Sequence, residues 1–186
     1  MEVDITEFRN WLTFSLTFFG GYIALKTYLN NQKQRKLENS FRIILMFRKS
    51  LHEGDIQAWE KIFHATSESV GAERGHFVEI IDDESRQIPL SYLFSEGAPD
   101  NGAVGRMADL FELISSEVLN KTVEFRVVYF QLGQLMDTTY YWLRFIDNPY
   151  EEYTSFLEKH YPCFTRLYNK HQIDEKWAKR MYAYIG

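Results

Sequence analysis

Apolar residues are massed at the front of the chain and then thin into helical periodicity. The stretch from Trp11 to Leu29, WLTFSLTFFGGYIALKTYL, is apolar on every face of a helix, whereas a surface helix of a small domain shows a polar stripe. As a helix this stretch rises about 28 Å, close to the ~30 Å hydrocarbon core of a bilayer. Leu12, Phe14, Leu16, Phe18, Phe19, Ile23 and Leu25 each favour insertion, and Thr13, Ser15, Thr17, Gly20 and Gly21 erode that gain. Trp11, Tyr22 and Tyr28 are amphipathic rings of the kind found near interfaces. Lys26 stands close enough to the end for its stem to carry the ammonium to the headgroups. The pattern predicts a transmembrane anchor with a modest margin. The acidic start and the Lys26-Thr27-Tyr28 that follows do not fit a cleaved signal peptide.

Beyond the anchor, Leu37, Phe41, Ile44, Leu45 and Leu51 recur at helical spacing, which predicts a juxtamembrane helix over 30–52, either continuous with the anchor or broken from it at Asn30-Asn31. Gly54-Asp55 reads as a stop followed by an N-cap, and Ile56, Trp59, Ile62 and Phe63 mark the next helix. Residues 70–102 are irregular, with a short strand expected over Phe77 to Ile81 and a short helix from Pro89 to Phe94. Val104, Met107, Ala108, Phe111, Ile114 and Val118 trace a helix to about Leu119, and a long helix follows Thr122 and carries Val127, Phe130, Trp142 and Phe145. Asn148-Pro149 ends it, Tyr150 to Lys159 reads as helical, Pro162 bends or restarts that helix, and Asp174 caps an expected last one with Trp177, Met181 and Ile185. The expected fold is all-α: one N-terminal transmembrane helix within residues 1–29, then a cytoplasmic bundle of about five helices within 53–186.

Charge turns the anchor into an oriented one. Glu2, Asp4 and Glu7 precede it with a single Arg9, while Lys26, Lys33, Arg35, Lys36, Arg42, Arg48 and Lys49 follow against Glu38 alone. The positive-inside bias places the N-terminus outside and the bulk of the chain in the cytoplasm. Lys26, Lys33, Arg35 and Lys36 form a collar suited to anionic lipid headgroups. The remainder is acidic enough to bring the net charge to −5, which argues against nucleic acid as a partner. The lone Cys163 excludes an internal disulfide and suits a reducing compartment.

The segment from Asp109 to Tyr168 is similar to a bacterial family catalogued as a domain of unknown function, number four-seven-six-zero. The matching elements are Leu110-Phe111-Glu112, Asn120-Lys121, Tyr129-Phe130 to Gly133, Tyr140-Tyr141-Trp142 and Phe164 to Tyr168, with Phe41 to Trp59 fitting more loosely. The resemblance implies a membrane helix, a basic linker and a helical domain. It transfers no catalytic residue.

Candidate chemistry is thin. Glu60 and His64 are four apart, a metal-ligand spacing that is equally that of a solvated helix pair, and no third ligand accompanies them. Asp82, Asp83 and Glu84 lack the alternating ligands of a calcium loop, and Cys163 has only sequence proximity to His160. No cofactor, metal or catalytic set is expected. Two other features carry more. Thr13, Thr17 and Gly21, with Gly20 and Ala24, form a small-residue face of the kind that lets helices approach closely. Tyr140-Tyr141-Trp142 points in three directions on a helix, so at least one ring is expected to face outward as an interaction surface. The sequence favours a membrane-anchored adaptor, regulator or accessory subunit that binds other proteins or itself. Its rivals are a membrane-tethered, hydrolase-like enzyme and a homo-oligomeric membrane effector.

Overall fold

In a computed structural model of the chain, which describes residues 5–68, 75–81, 84–146, 155–171 and 173, the first element is a single helix, α1, running from Ile5 to Ser50. Asn30-Asn31 does not break it. Asparagine costs only about half a kcal/mol in a helix interior, and neither residue competes with a turn signal on either side. No helix among the described residues is long and apolar enough to cross a membrane. This corrects the expectation of a transmembrane helix, and the cause is composition: Thr13, Ser15, Thr17, Gly20, Gly21 and Lys26 dilute an otherwise apolar stretch.

The last four turns of α1 belong to the folded domain. Ser40, Ile43, Ile44 and Phe47, spaced three and four apart, are buried. Gly54 at φ 92° ends the excursion after α1, and Asp55 opens α2, which runs from Asp55 to Glu68. The Asp55 carboxylate accepts a bond from the amide of His52, three residues before it, at 2.9 Å, so Asp55 stands inside the first turn and not at the N-cap the sequence suggested. Trp59, Ile62 and Phe63 are buried, but Ile56 is exposed, off the face to which its spacing assigned it.

The irregular region holds an antiparallel hairpin of β1 (His76–Ile81) and β2 (Glu84–Pro89), in register from His76 opposite Pro89 to Ile81 opposite Glu84. A 3-10 turn, Leu90–Phe94, starts directly after Pro89. Then come α3 (Ala103–Leu119), α4 (Phe125–Leu143), α5 (Phe156–His160) and α6 (Pro162–His171). The described residues are thus mostly helical with one small sheet. The expected stop at Asn148-Pro149 and the last helix after Asp174 lie outside the described residues.

Helix α3 is the axis of the domain. Phe111 stacks on Phe47 of α1 at 5.3 Å between ring centres and meets Phe164 of α6 at 5.6 Å, so one ring joins three helices. Met107, Ala108, Phe111 and Ile114 have no exposed surface. Burying side chains of this size stabilises the fold by roughly 1.5–3 kcal/mol each for the larger ones.

Candidate functional site: the exposed arm of the first helix

Between Trp11 and Leu29, α1 stands clear of the domain. Trp11, Phe14, Leu16, Phe18, Phe19, Tyr22, Ile23, Leu25, Tyr28 and Leu29 are all exposed, from 51% at Leu29 to 69% at Trp11. Leu12 lies in the same helix, and its side chain is outside the description. Ten apolar or aromatic side chains open to solvent on every face is far more than an isolated surface leucine, and a surface of this kind marks an association site. Packing within the domain does not account for the stretch.

The small-residue positions are open as well. A side chain at Gly20 or Gly21 would meet nothing within 4 Å, and Thr13, Thr17 and Ala24 are exposed. The Thr17 hydroxyl donates to the Thr13 carbonyl at 2.8 Å, so it is satisfied within its own helix and costs less to bury. Below them the collar begins: Lys26, Lys33 and Arg35 are exposed and Lys36 is half-buried. One turn from Tyr28, the Gln32 amide donates to its hydroxyl at 3.1 Å.

A second exposed apolar stripe was not separated by the sequence pattern. Leu37, Phe41 and Leu45, 42%, 57% and 55% exposed, lie beside the buried Ile44 rather than with it. The signal was present in the spacing: 37, 41 and 45 form one row, and 40, 43, 44 and 47 form another. Next to the end of this stripe a depression of about 510 Å³ opens between α1, α2 and α4. Phe47, Leu51, Leu132 and Leu135 line it, together with Arg48 and Gln131, which are joined by a bond from the guanidinium to the side-chain carbonyl at 3.1 Å.

Of the three aromatics expected to present a surface, only Tyr141 does so, at 52% exposed, with the Arg144 guanidinium 4.5 Å above its ring. Tyr140 stacks on Tyr168 at 4.0 Å and Trp142 on Phe63 at 6.2 Å, so both are half-buried parts of the packing.

The interior holds one unusual polar cluster. Tyr129 and Tyr168 both donate to the Asp137 carboxylate, Tyr168 at 2.6 Å. Tyr129 lies on the same helix eight residues earlier, and its ring reaches Asp137 by lying across Gly133, where a Cβ would come within 3.0 Å of the ring carbons. Burial pushes the Asp137 carboxyl above its ordinary value, with the two phenols opposing. At Cys163, burial first and then Glu112 push the thiol up, the reverse of what a nucleophile needs. The His160 ring packs on Phe156 at 4.6 Å. Glu112 instead accepts from the Cys163 and Phe164 amides at 2.9 and 2.7 Å, capping the start of α6.

Glu60 is exposed, and among the described residues no three His, Cys, Asp or Glu side chains gather as a metal site. Asp82, Asp83 and the His64 side chain lie outside the description, while Glu84 is exposed beside Arg86. No family model matches the chain, and no curated protein or solved structure matches it either.

Proposed function

We propose that this chain is a membrane-held protein-interaction domain, acting as an adaptor, regulator or accessory subunit on the cytoplasmic face of a bacterial inner membrane. The observation that carries the reading is the arm of α1, with ten apolar or aromatic side chains exposed on all its faces. A bilayer covers all faces of a helix at once, which a groove on a single protein partner does not. The collar that follows the arm suits the anionic headgroups of the inner leaflet, and the acidic residues before it stay on the far side. Its hydroxyl and glycine positions keep the arm short of a self-sufficient span, so a neighbouring helix in the bilayer belongs to the proposal. The domain then offers exposed Tyr141 and the Leu37, Phe41 and Leu45 stripe to protein partners.

The reading is tested with full-length protein and vesicles of phosphatidylethanolamine and phosphatidylglycerol. The protein is expected to float with the vesicles and to stay with them through an alkaline carbonate wash. Protein released by carbonate, or left at the bottom of the gradient, would remove the membrane from the proposal.

A further inference from the structure

The arm leaves the domain at one end of the bundle, and other elements bring cations to that same end. Asn39 donates to the Thr122 carbonyl at 3.1 Å and the Ser40 hydroxyl accepts from the Glu124 amide at 2.8 Å, which sets the α3–α4 turn at the level where α1 enters the domain. Helix α4 starts there and runs alongside α1, since Arg48 meets Gln131 further down. The last turn of α6 reaches the same level, with the His171 ring centre 5.0 Å from that of Phe125 at the start of α4. Lys121 in the turn, Arg126 in the first turn of α4 and Lys170 in the last turn of α6 are all exposed. Counting back by threes and fours from the buried row of Phe47, Ile43 and Ser40 reaches Lys36 and Lys33, so these two collar residues lie on the side of α1 that overhangs the bundle. Glu117, which accepts from the Thr122 hydroxyl, and Glu124 stand among these cations, while Glu38 lies on the far side of α1 beside Gln34. The end is basic in a chain that is acidic overall beyond residue 50.

Lys121 carries a second mark. It follows the C-cap Asn120 at φ 59°, and the Lys121 and Thr122 amides donate to the Val118 and Glu117 carbonyls at 3.0 and 3.1 Å. This is the Schellman arrangement, whose left-handed position is usually glycine because a Cβ is strained there. A lysine with its side chain in solvent, at the place a glycine would fit better, points to use of its charge.

We infer that this end of the bundle is a seat for an anionic bilayer surface, with Lys121, Arg126 and Lys170 on the headgroup phosphates of the leaflet from which the arm emerges. The inference rests on the membrane reading and adds to it the face of the domain that touches lipid. Continuity identifies the occupant: a bilayer that receives the arm meets this end next, and Lys33 and Lys36 carry the basic surface from one to the other. With the hydrocarbon ending at Leu29, Ser40 lies about 16 Å farther along α1, or about 10 Å past the headgroup layer. That is roughly one Debye length with α1 upright, and a tilt of about 20° toward the bundle brings the cations down to the surface. Tyr141, near the other end of α4, is thereby directed away from the membrane.

The test uses full-length protein, Cys163→Ala, in vesicles of phosphatidylethanolamine and phosphatidylglycerol in which some headgroups carry a nitroxide quencher. A fluorescent probe is attached to Asn169→Cys in the basic end or to Glu53→Cys beyond the far end of α1, both exposed positions, and emission is read on the floated fraction. Quenching at 169 is expected to exceed that at 53 several-fold. The excess should disappear on phosphatidylcholine alone, and in a Lys121→Gly, Lys170→Gln variant that still floats. An excess that persists in both cases would mean that the tether alone sets the distance and would overturn the seat, as would equal quenching at the two probes. Lys121→Gly by itself should melt above the parent protein while lowering the quenching at 169; a lower melting temperature would assign the lysine to the fold and overturn its part in the seat. Protein that floats with no excess at 169 removes the seat and leaves the membrane reading standing, whereas protein that does not float removes both.

Discussion

Tyr129, Gly133 and Asp137 show how much one residue constrains its neighbours. A glycine inside α4 is disfavoured by about 1 kcal/mol relative to alanine, so propensity alone ranks Gly133→Ala as stabilising. Here the added methyl meets the Tyr129 ring and lifts the phenol away from Asp137, so the variant is expected to melt lower than the wild type. A higher melting temperature would show the ring has room to shift. Asp137 itself gives a pH signature. Its folded pKa lies above its unfolded value, so its contribution to stability is complete below about pH 4 and is lost as pH rises through the folded value. The melting temperature of Asp137→Asn minus that of wild type should therefore climb as pH rises from 4 and then level off; a flat difference would exclude Asp137 as the titrating group. None of this cluster was legible in the sequence. The tyrosines between Tyr129 and Tyr184 are too many to sort by periodicity, because a tyrosine with its hydroxyl satisfied inside looks the same in sequence as one at an interface. Tyr140 went into the stack and Tyr141 into solvent because a helix turns about 100° between them.

At the scale of elements, the helices with a single apolar face were readable nearly to their ends, α3 above all, since burial along 104, 107, 108, 111, 114 and 118 follows its spacing. Two elements escaped for different reasons. Strand β2, ESRQIP, is almost wholly exposed and is held by backbone pairing to β1, which no hydrophobic pattern records. The continuity of α1 through Asn30-Asn31 stayed open in the sequence, because breaker signals are read locally while a helix held at one end by packing carries weak residues through. The start of α2 depends instead on one ion pair. Arg106 donates from Nε to the buried Asp55 carboxylate at 3.0 Å, and this bond is the largest influence holding that carboxyl below its ordinary value. Arg106→Ala leaves a buried charge with only the His52 amide as donor and should cost about 2 kcal/mol by denaturant titration. The sign of its pH effect is opposite to that of Asp137: a depressed folded pKa contributes stability above the unfolded value near 3.8 and loses it as pH falls through the folded one. The difference between wild type and Arg106→Ala should consequently shrink on acidification below pH 4. A constant difference would mean that the loss is one of packing alone.

For the whole molecule, the decisive quantity is the distance between the arm and the domain. Lys33, Arg35 and Lys36 follow Leu29 by four to seven residues, about 6–11 Å along an unbroken helix, so a bilayer ending at Leu29 would have them about one Debye length or less from its headgroups. Asn39 and Ser40 already bond to the turn and strand-like residues before α4, at the Thr122 carbonyl (3.1 Å) and the Glu124 amide (2.8 Å). There is no slack between collar and domain, so a bilayer that receives the arm holds the domain at its surface. The collar was legible as a run of like charge; its rigid link to the domain was not, since continuity depends on tertiary bonds more than eighty residues away in sequence. If the collar works on lipid, replacing Lys33, Arg35 and Lys36 together by Gln removes about 1 kcal/mol per cation, or roughly a hundredfold in partitioning. That loss should appear in vesicle sedimentation with phosphatidylglycerol-rich membranes, diminish as salt is raised, and vanish with phosphatidylcholine alone. An equal loss on both membranes would assign the three side chains to the fold of α1, and no loss on either would place the headgroup contact elsewhere along the helix.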